Sequence, residues 1–197
     1  MDAVRVEVVR ELLAGSEWPE RTRAFAGALR GAVRRGSPGG LLLVGGGGYE
    51  PWHMAAHLDD EAAWSGLPEL SPVLVRQRVP PGAPAHLAVG TARLEAARRG
   101  ETVLVVAPGQ AEAGLLERVD GARRAGARVL AMDAGDRELA GLAHEALSVP
   151  PEPGEVGLEL LQHLVSAAAG RRVRLRDRLP RLARLAEQFV SPPPASW

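Results

Sequence analysis

The sequence predicts an α/β protein, a three-layer α/β/α sandwich built on a five-stranded parallel sheet. Short apolar segments alternate along the chain with helical segments of about 10–15 residues, the pattern of βαβ units with right-handed crossovers. Several apolar segments have no polar side, as expected of strands that are covered on both faces. The first of these segments runs directly into a glycine-rich loop, which suits a strand that leads into a helix at a sheet edge.

Two helices precede the first predicted strand. Residues 3–14 and 17–35 place apolar side chains at helical spacing, and glycine, serine and proline over 36–40 end the second segment. We therefore expect a helical hairpin over residues 1–36. Its apolar side needs a partner, which is either the sheet or another subunit.

Five strands and their connecting helices account for most of the remaining chain. The predicted strands are residues 41–44, 72–76, 102–107, 127–132 and 146–149. The predicted helices begin near Pro51 and then cover residues 91–99, 111–125, 137–144 and, after a proline-rich break, 154–169. This organisation indicates a single domain over residues 1–170. A basic amphipathic helix is expected over 171–190, and a disordered tail over 191–197.

Charge and composition exclude several classes of function. The chain has 24 acidic and 24 basic residues, so no overall field favours nucleic acid or a membrane surface as a partner. It has no cysteine, which excludes thiolate catalysis and leaves histidine and carboxylates as candidate metal ligands. Every basic residue is arginine, which excludes Schiff-base chemistry. No apolar run approaches transmembrane length and no signal-peptide core is visible, so we expect a cytoplasmic protein.

The first candidate site is the glycine loop together with the helix that follows it. Four glycines, residues 45–48, allow a sharp turn and a close approach of the backbone to a ligand. Pro51 suits the start of a helix, on which His53 and His57 lie one turn apart on one face. The sequence thus places two imidazoles near the carboxyl end of a buried strand, where open α/β sheets bind ligands. A tight connection with a partly exposed histidine pair is the alternative interpretation.

The closing helix carries the second candidate group. Its apolar residues share one side, whereas Glu155, Glu159, Gln162 and His163 fall on the other. Glu155 and His163 are eight residues apart and so about 80° apart around the helix axis, which lets both point to one side. A polar face that simply meets water is the alternative.

The order of these elements resembles the SIS (sugar isomerase) domain, and most closely the phosphoheptose isomerases. Residues 42–48 and 53–58 resemble the strand, G-x-G-G-S loop and H-F-A-x-E-L helix of that family. Residues 100–106 resemble the strand that enters the family's S-T-S-G phosphate loop, and 122–150 resemble its closing strands. The resemblance covers about residues 3–170.

This resemblance implies a metal site, for which zinc is the expected ion. The family's ligands, His-x3-Glu on the first helix and Gln-x7-His on the closing helix, fall here on His53, His57, Glu155 and His163. His57 replaces the family's Glu and Glu155 replaces its Gln, and both substitutes are chemically able to bind zinc. The family's catalytic base and acid fall on His57 and His163, although an imidazole bound to metal cannot also act freely as a base.

The phosphate loop departs further from the family. Its S-T-S-G-N-S becomes residues 107–112, which carry no hydroxyl group, while Pro108 removes an N–H donor and Glu112 adds a negative charge. Phosphate recognition of the familiar kind is therefore not expected. Ligand contacts are expected from the first and second loops, namely Gly46, Gly47, Gly48, Tyr49, Gly109 and Gln110.

Two functions are compatible with these residues. One is a metal-assisted aldose–ketose isomerase that acts on a sugar or sugar-phosphate derivative through an enediol. The other is a non-catalytic SIS-fold protein that binds a sugar derivative or assembles with partners. Because the family's site lies between subunits and the terminal helices are strongly apolar on one side, a homodimer or homotetramer is expected.

Overall fold

A five-stranded, all-parallel sheet forms the centre of the protein in a computed structural model that describes residues 15–149 and 157–170. The strands are β1 (Leu41–Gly45), β2 (Pro72–Val75), β3 (Thr102–Ala107), β4 (Arg128–Asp133) and β5 (Glu145–Ser148). Their order across the sheet is β2-β1-β3-β4-β5. β1 therefore pairs on both sides, from Leu41 opposite Pro72 and Thr102 to Val44 opposite Val75 and Val105.

Helices connect the strands and cover both faces of the sheet. They are α1 (Trp18–Val33), α2 (Trp52–Ser65), α3 (Ala92–Glu95), α4 (Ala113–Arg124), α5 (Arg137–Leu142) and α6 (Leu158–Gly170). Two 3-10 turns, Pro68–Leu70 and Ala85–Leu87, lie within the connections on either side of β2. The fold class predicted from the sequence is confirmed, including the parallel sheet and the helical layers.

Two separate hydrophobic cores follow from the alternation of side chains along each strand. Leu41 and Leu43 of β1 point to the face covered by α1, α2 and α6, whereas Leu42 and Val44 point to the face covered by α3, α4 and α5. All four side chains are at most 1% exposed. This explains why the strand has no polar side in the sequence, because neither of its faces meets water.

The predicted strand boundaries differ from the observed ones by one residue at most, but one helix is much shorter than predicted. Residues 91–99 were expected to be helical, whereas α3 has only four residues. The helix ends at Glu95, the Ala97 N–H donates to the Leu94 carbonyl at 3.0 Å, and Arg98 and Glu101 then close a separate turn. The Arg98 N–H donates to Glu101 Oε2 at 2.9 Å, and the Glu101 N–H donates to the Arg98 carbonyl at 3.0 Å.

The terminal parts of the sequence prediction fall outside the described residues. Helix 17–35 is present as α1, but residues 3–14, the other half of the predicted hairpin, are not described. The basic helix over 171–190 and the tail over 191–197 are not described either. Those three expectations remain predictions.

Gly45 is the last residue of β1 and makes the tightest approach in the glycine loop. A Cβ atom placed on Gly45 would lie 1.8 Å from the carbonyl oxygen of Tyr49, which is a backbone atom and cannot move aside. Gly47 and Gly48 then adopt φ values of 63° and 74°, the left-handed region in which side chains are strained. The loop geometry therefore requires glycine at these positions.

We predict that Gly45→Ala destabilises the protein by about 3 kcal/mol or more, since the added methyl group must displace backbone. Gly109→Ala is the matched control, because a Cβ there meets no atom within 4 Å. It should stay within about 1 kcal/mol of the parent protein. Urea unfolding of the three proteins measures both effects. Equal stabilities of the two variants would contradict the steric explanation.

Candidate functional site

Helices α2 and α6 pack side by side in parallel, and their contacting residues form three successive levels. His53 Nδ1 lies 3.5 Å from Glu159 Oε1 at the first level. His57 and His163 meet at the second, with ring centroids 4.8 Å apart and planes inclined at 67°. At the third, the Glu61 side chain lies against Gly170, where a Cβ atom would be 1.7 Å from Glu61 Oε2. The packing of the two helices thus joins residues that are more than 100 positions apart in the sequence.

The two central imidazoles are partly buried, and both have a reduced tendency to bind a proton. Burial lowers the pKa of His57 below its ordinary value. The nearby negative charge of Asp60 acts to raise this pKa, and the positive charge of His53 acts to lower it. Burial also lowers the pKa of His163, and the nearby His57 acts in the same direction against Glu159. Both rings are therefore neutral at neutral pH. A neutral imidazole is the form that binds metals or accepts a proton.

His163 also has a buried nitrogen with an unused capacity for hydrogen bonding. Within residues 15–149 and 157–170, its Nδ1 has no hydrogen-bond partner. Such a buried polar atom usually has a partner, because leaving one unsatisfied costs about 1–3 kcal/mol. A ligand or metal at this nitrogen would satisfy it.

The described residues bring together only part of the predicted metal site. His57 and His163 are adjacent, but His53 contacts Glu159 at the surface, where both side chains are at least 70% exposed. Among the described residues no three histidine, aspartate or glutamate side chains converge closely enough to hold a metal ion. Glu155, the remaining predicted ligand, lies outside them. Zinc binding therefore stays a prediction.

The glycine loop lies at the carboxyl end of β1, next to α6. The Gly46 N–H donates to the carbonyl of Val106 at 2.9 Å, which ties the loop to β3. The Tyr49 hydroxyl is 3.1 Å from Gln162 Nε2 on α6, directly before His163 in the sequence. The loop and the histidine pair are therefore neighbouring parts of one region.

The carboxylate of Glu112 lies in the glycine loop. Glu112 is the N-cap residue of α4, and its Oε2 accepts hydrogen bonds from the Gly47 N–H at 3.1 Å and from Gln77 Nε2 at 3.2 Å. Burial acts to raise the pKa of Glu112, but hydrogen bonds from the backbone of Glu112, Gly47 and Gly48 and from Gln77 outweigh it and lower the pKa. The carboxylate is therefore charged at neutral pH and stabilised by these donors.

The second loop contributes backbone to the same region. The Gln110 carbonyl oxygen would be 3.6 Å from a Cβ on Gly47, so this loop lies against the first. Gly109 has no side chain, and both Gly109 and Gln110 are exposed. The structure thus brings Gly46, Gly47, Gly48, Tyr49, Gly109 and Gln110 into one region. Their ligand-binding role remains a prediction.

Sequence reasoning missed several residues of this region. Gln77 donates to the Gly45 carbonyl at 2.6 Å as well as to Glu112, and its position just after β2 was a usable signal. Arg76 binds Glu50 at 2.9 Å and lies over the Trp52 ring at 5.2 Å. Gln162 was expected on the polar side of its helix, opposite the apolar residues, but its side chain is buried. Gln162 is only 3% exposed, and its Nε2 donates hydrogen bonds to the Tyr49 hydroxyl at 3.1 Å and to the Leu158 carbonyl at 3.5 Å.

Comparison with known proteins gives likenesses of structure only. No family model matches the sequence, and no curated protein matches it. The sugar isomerase domain of an RpiR transcription factor from Sphaerobacter thermophilus superposes with a TM-score of 0.51 at 18% identity, over 84% of this chain and 86% of that one. A phosphosugar isomerase-like protein from Silicibacter pomeroyi gives a TM-score of 0.50 at 18% identity, over 91% of this chain and 52% of that one.

The protein therefore has the fold of a sugar isomerase (SIS) domain. This confirms the fold expected from the order of the sequence elements. The chain spans about half the length of the Silicibacter pomeroyi protein. No helix among the described residues is long and apolar enough to cross a membrane.

We predict that the metal-free protein loses stability as the pH falls from about 7.5 to 5. The pKa values of His57 and His163 lie below the ordinary 6.5 in the folded state. The unfolded chain therefore binds protons first, so the stabilisation from these rings is present above about pH 6.5 and is lost as the pH falls through the folded pKa values.

The measurement is urea unfolding with a chelator present, for the parent protein and for His57→Gln. The variant should show a smaller loss of stability over this pH range. His86→Gln is the control, because His86 is an exposed residue that lies outside this site. If His57→Gln retained the full pH dependence of the parent protein, the loss of stability could not be assigned to the His57 ring.

Proposed function

We propose that this protein binds a sugar derivative at the carboxyl edge of its sheet, between the glycine loop and the histidine pair. The observation that carries the proposal is the hydrogen bond between Gln162 and the Tyr49 hydroxyl, which lies beside the contact between His57 and His163. It sets a backbone-rich loop next to two neutral imidazoles at the edge where open α/β sheets bind ligands. The likeness to a sugar isomerase domain and to a phosphosugar isomerase-like protein supports the same ligand class.

The chemistry that fits these residues is an aldose–ketose isomerisation. It transfers a proton between adjacent carbons and needs a base, an acid and stabilisation of the developing oxyanion. His57 and His163 are suited to these proton transfers, since both rings are neutral and 4.8 Å apart. The resemblance to phosphoheptose isomerases supports this finer proposal.

Zinc at the same pair of residues is an alternative to free proton transfer by these rings, since an imidazole bound to metal cannot also act freely as a base. The Nδ1 of His163, which has no partner among the described residues, and the neutral rings suit a metal, for which His53, His57, Glu155 and His163 are the proposed ligands. Bound there, zinc would act as a Lewis acid toward the sugar carbonyl. His53 is the weakest of the proposed ligands, because it contacts Glu159 at the surface.

A non-catalytic binding or assembly protein is the second candidate. It is favoured by the absence of a third metal ligand among the residues described and by the loss of hydroxyl groups from the second loop. We further propose that the protein is a homodimer or homotetramer. Trp64 on α2 is 74% exposed, and a large apolar side chain at the surface supports a subunit contact.

We predict that zinc raises the melting temperature of the protein and that His57→Ala and His163→Ala each abolish the rise, because a ligand that binds only the folded chain stabilises it. The zinc content of the dialysed proteins is a second measurement of the same binding. His86→Ala, which removes an exposed histidine outside the site, should respond like the parent protein. An unchanged zinc effect in both site variants would refute metal binding at this pair.

The isomerase proposal is tested by proton exchange in deuterated water. An enediol mechanism should introduce deuterium at the carbon next to the carbonyl of an aldose or ketose, and NMR detects this label directly. A panel of pentoses, hexoses and heptoses, each with and without phosphate, covers the ligand class. His57→Gln and His163→Gln should lose exchange by roughly 100-fold or more. Sugar binding without any exchange would favour the non-catalytic alternative.

A further inference from the structure

We infer that Glu112 is a specificity-determining residue, whose carboxylate holds the anion-binding position of the glycine loop and excludes phosphate from it. The ligand of the proposed sugar site then presents a hydroxyl or ammonium group at this point. This inference rests on the proposed function for the sugar itself, but the exclusion of phosphate can be tested without it.

The glycine loop has the features of an anion-binding turn. Gly47 and Gly48 are in the left-handed conformation, and the backbone N–H groups of both contribute to lowering the pKa of the Glu112 carboxyl. Successive N–H groups in such a turn, together with the start of a helix, favour negative charge. Here the negative charge comes from the chain, because Glu112 Oε2 accepts directly from the Gly47 N–H.

In the part of the chain that the structure describes, no arginine pairs with Glu112 to offset a second anion. Arg76, which follows the neighbouring strand β2, is already paired with Glu50 at 2.9 Å. Pro108, in the second loop, has no N–H to donate. A phosphate would therefore have to displace the carboxylate and then remain close to its charge.

The exposed carboxylate also indicates what the loop can bind. Glu112 is an exposed residue, so a ligand can reach it. An ionised carboxylate only accepts hydrogen bonds, and its partners must be donors such as hydroxyl or ammonium groups. Gln77 Nε2 also donates a hydrogen bond to this carboxylate, at 3.2 Å. An unphosphorylated sugar or an amino sugar fits this arrangement.

The direct test follows the backbone amides of Gly47 and Gly48 by NMR during titration with inorganic phosphate. In the parent protein these amides should not respond. In Glu112→Ser they should shift, with at least about a tenfold gain in phosphate affinity, because a like charge is removed and the donors are left without a partner. Serine is itself a preferred N-cap residue, so α4 should be retained.

Two further variants make the result specific. Glu112→Gln keeps the length of the side chain and removes the charge, so it should gain affinity but less than Glu112→Ser. Glu117→Ser removes a carboxylate from an exposed position on the same helix and should behave like the parent protein. Phosphate binding by the Arg-rich part of the chain would leave the Gly47 and Gly48 amides unmoved, so it is not confused with binding at the loop.

Matched sugars then test the ligand class. Glucose, glucosamine and glucose 6-phosphate are compared by the same amide shifts, and the phosphorylated sugar should shift the amides of Glu112→Ser, and less strongly those of Glu112→Gln, but not those of the parent protein. A response of the parent loop to phosphate or glucose 6-phosphate equal to that of the variant would overturn the inference. So would a Glu112→Ser protein that gains no phosphate affinity. If no sugar binds to any variant, the proposed function fails while the phosphate result still decides the role of Glu112.

Discussion

The contact between Gly45 and the carbonyl of Tyr49 is the constraint on which the site depends. β1 is hydrogen-bonded on both sides and fully buried, so its direction is fixed by the sheet. The chain must reverse within a few residues to start α2 on the face of the sheet, and the missing side chain at Gly45 permits this. The same turn sets Tyr49 against Gln162 and so fixes the loop relative to α6. The position of His57 on α2 follows from it.

The fold could be predicted from the sequence because its determinants are local. Each strand is a short apolar run, and the two hydrophobic cores arise from simple alternation along β1. Asp136 caps α5 from a neighbouring position in the sequence, since its side chain accepts from the N–H groups of Glu138 and Leu139. The length of α3 was overestimated, since periodicity does not reveal that the chain forms a separate turn between Arg98 and Glu101.

The site could be predicted only in part, because its contacts join distant residues. The spacing of His53 and His57 was visible in the sequence, but the approach of His57 to His163 depends on how α2 and α6 pack. The sequence showed that Glu112 is acidic and lies at the start of a helix. It did not show that the side chain would fold back onto Gly47, 65 positions earlier. Gln77 was overlooked because its two partners, the Gly45 carbonyl and Glu112, are 32 and 35 positions away in the sequence.

The orientation of the helices has a consequence for the electric field at the edge of the sheet. α2 and α4 both begin there, so the positive ends of two helix dipoles face the same region. Glu50 lies just before α2, and Glu112 is the N-cap residue of α4, so a carboxylate of the protein itself is present at the N-terminus of each helix. The partial positive charge of both helices is thus compensated within the protein. An uncharged ligand that approaches this edge therefore meets little net attraction or repulsion, so its encounter rate should depend only weakly on ionic strength, and its selection should rest on shape and on hydrogen bonds.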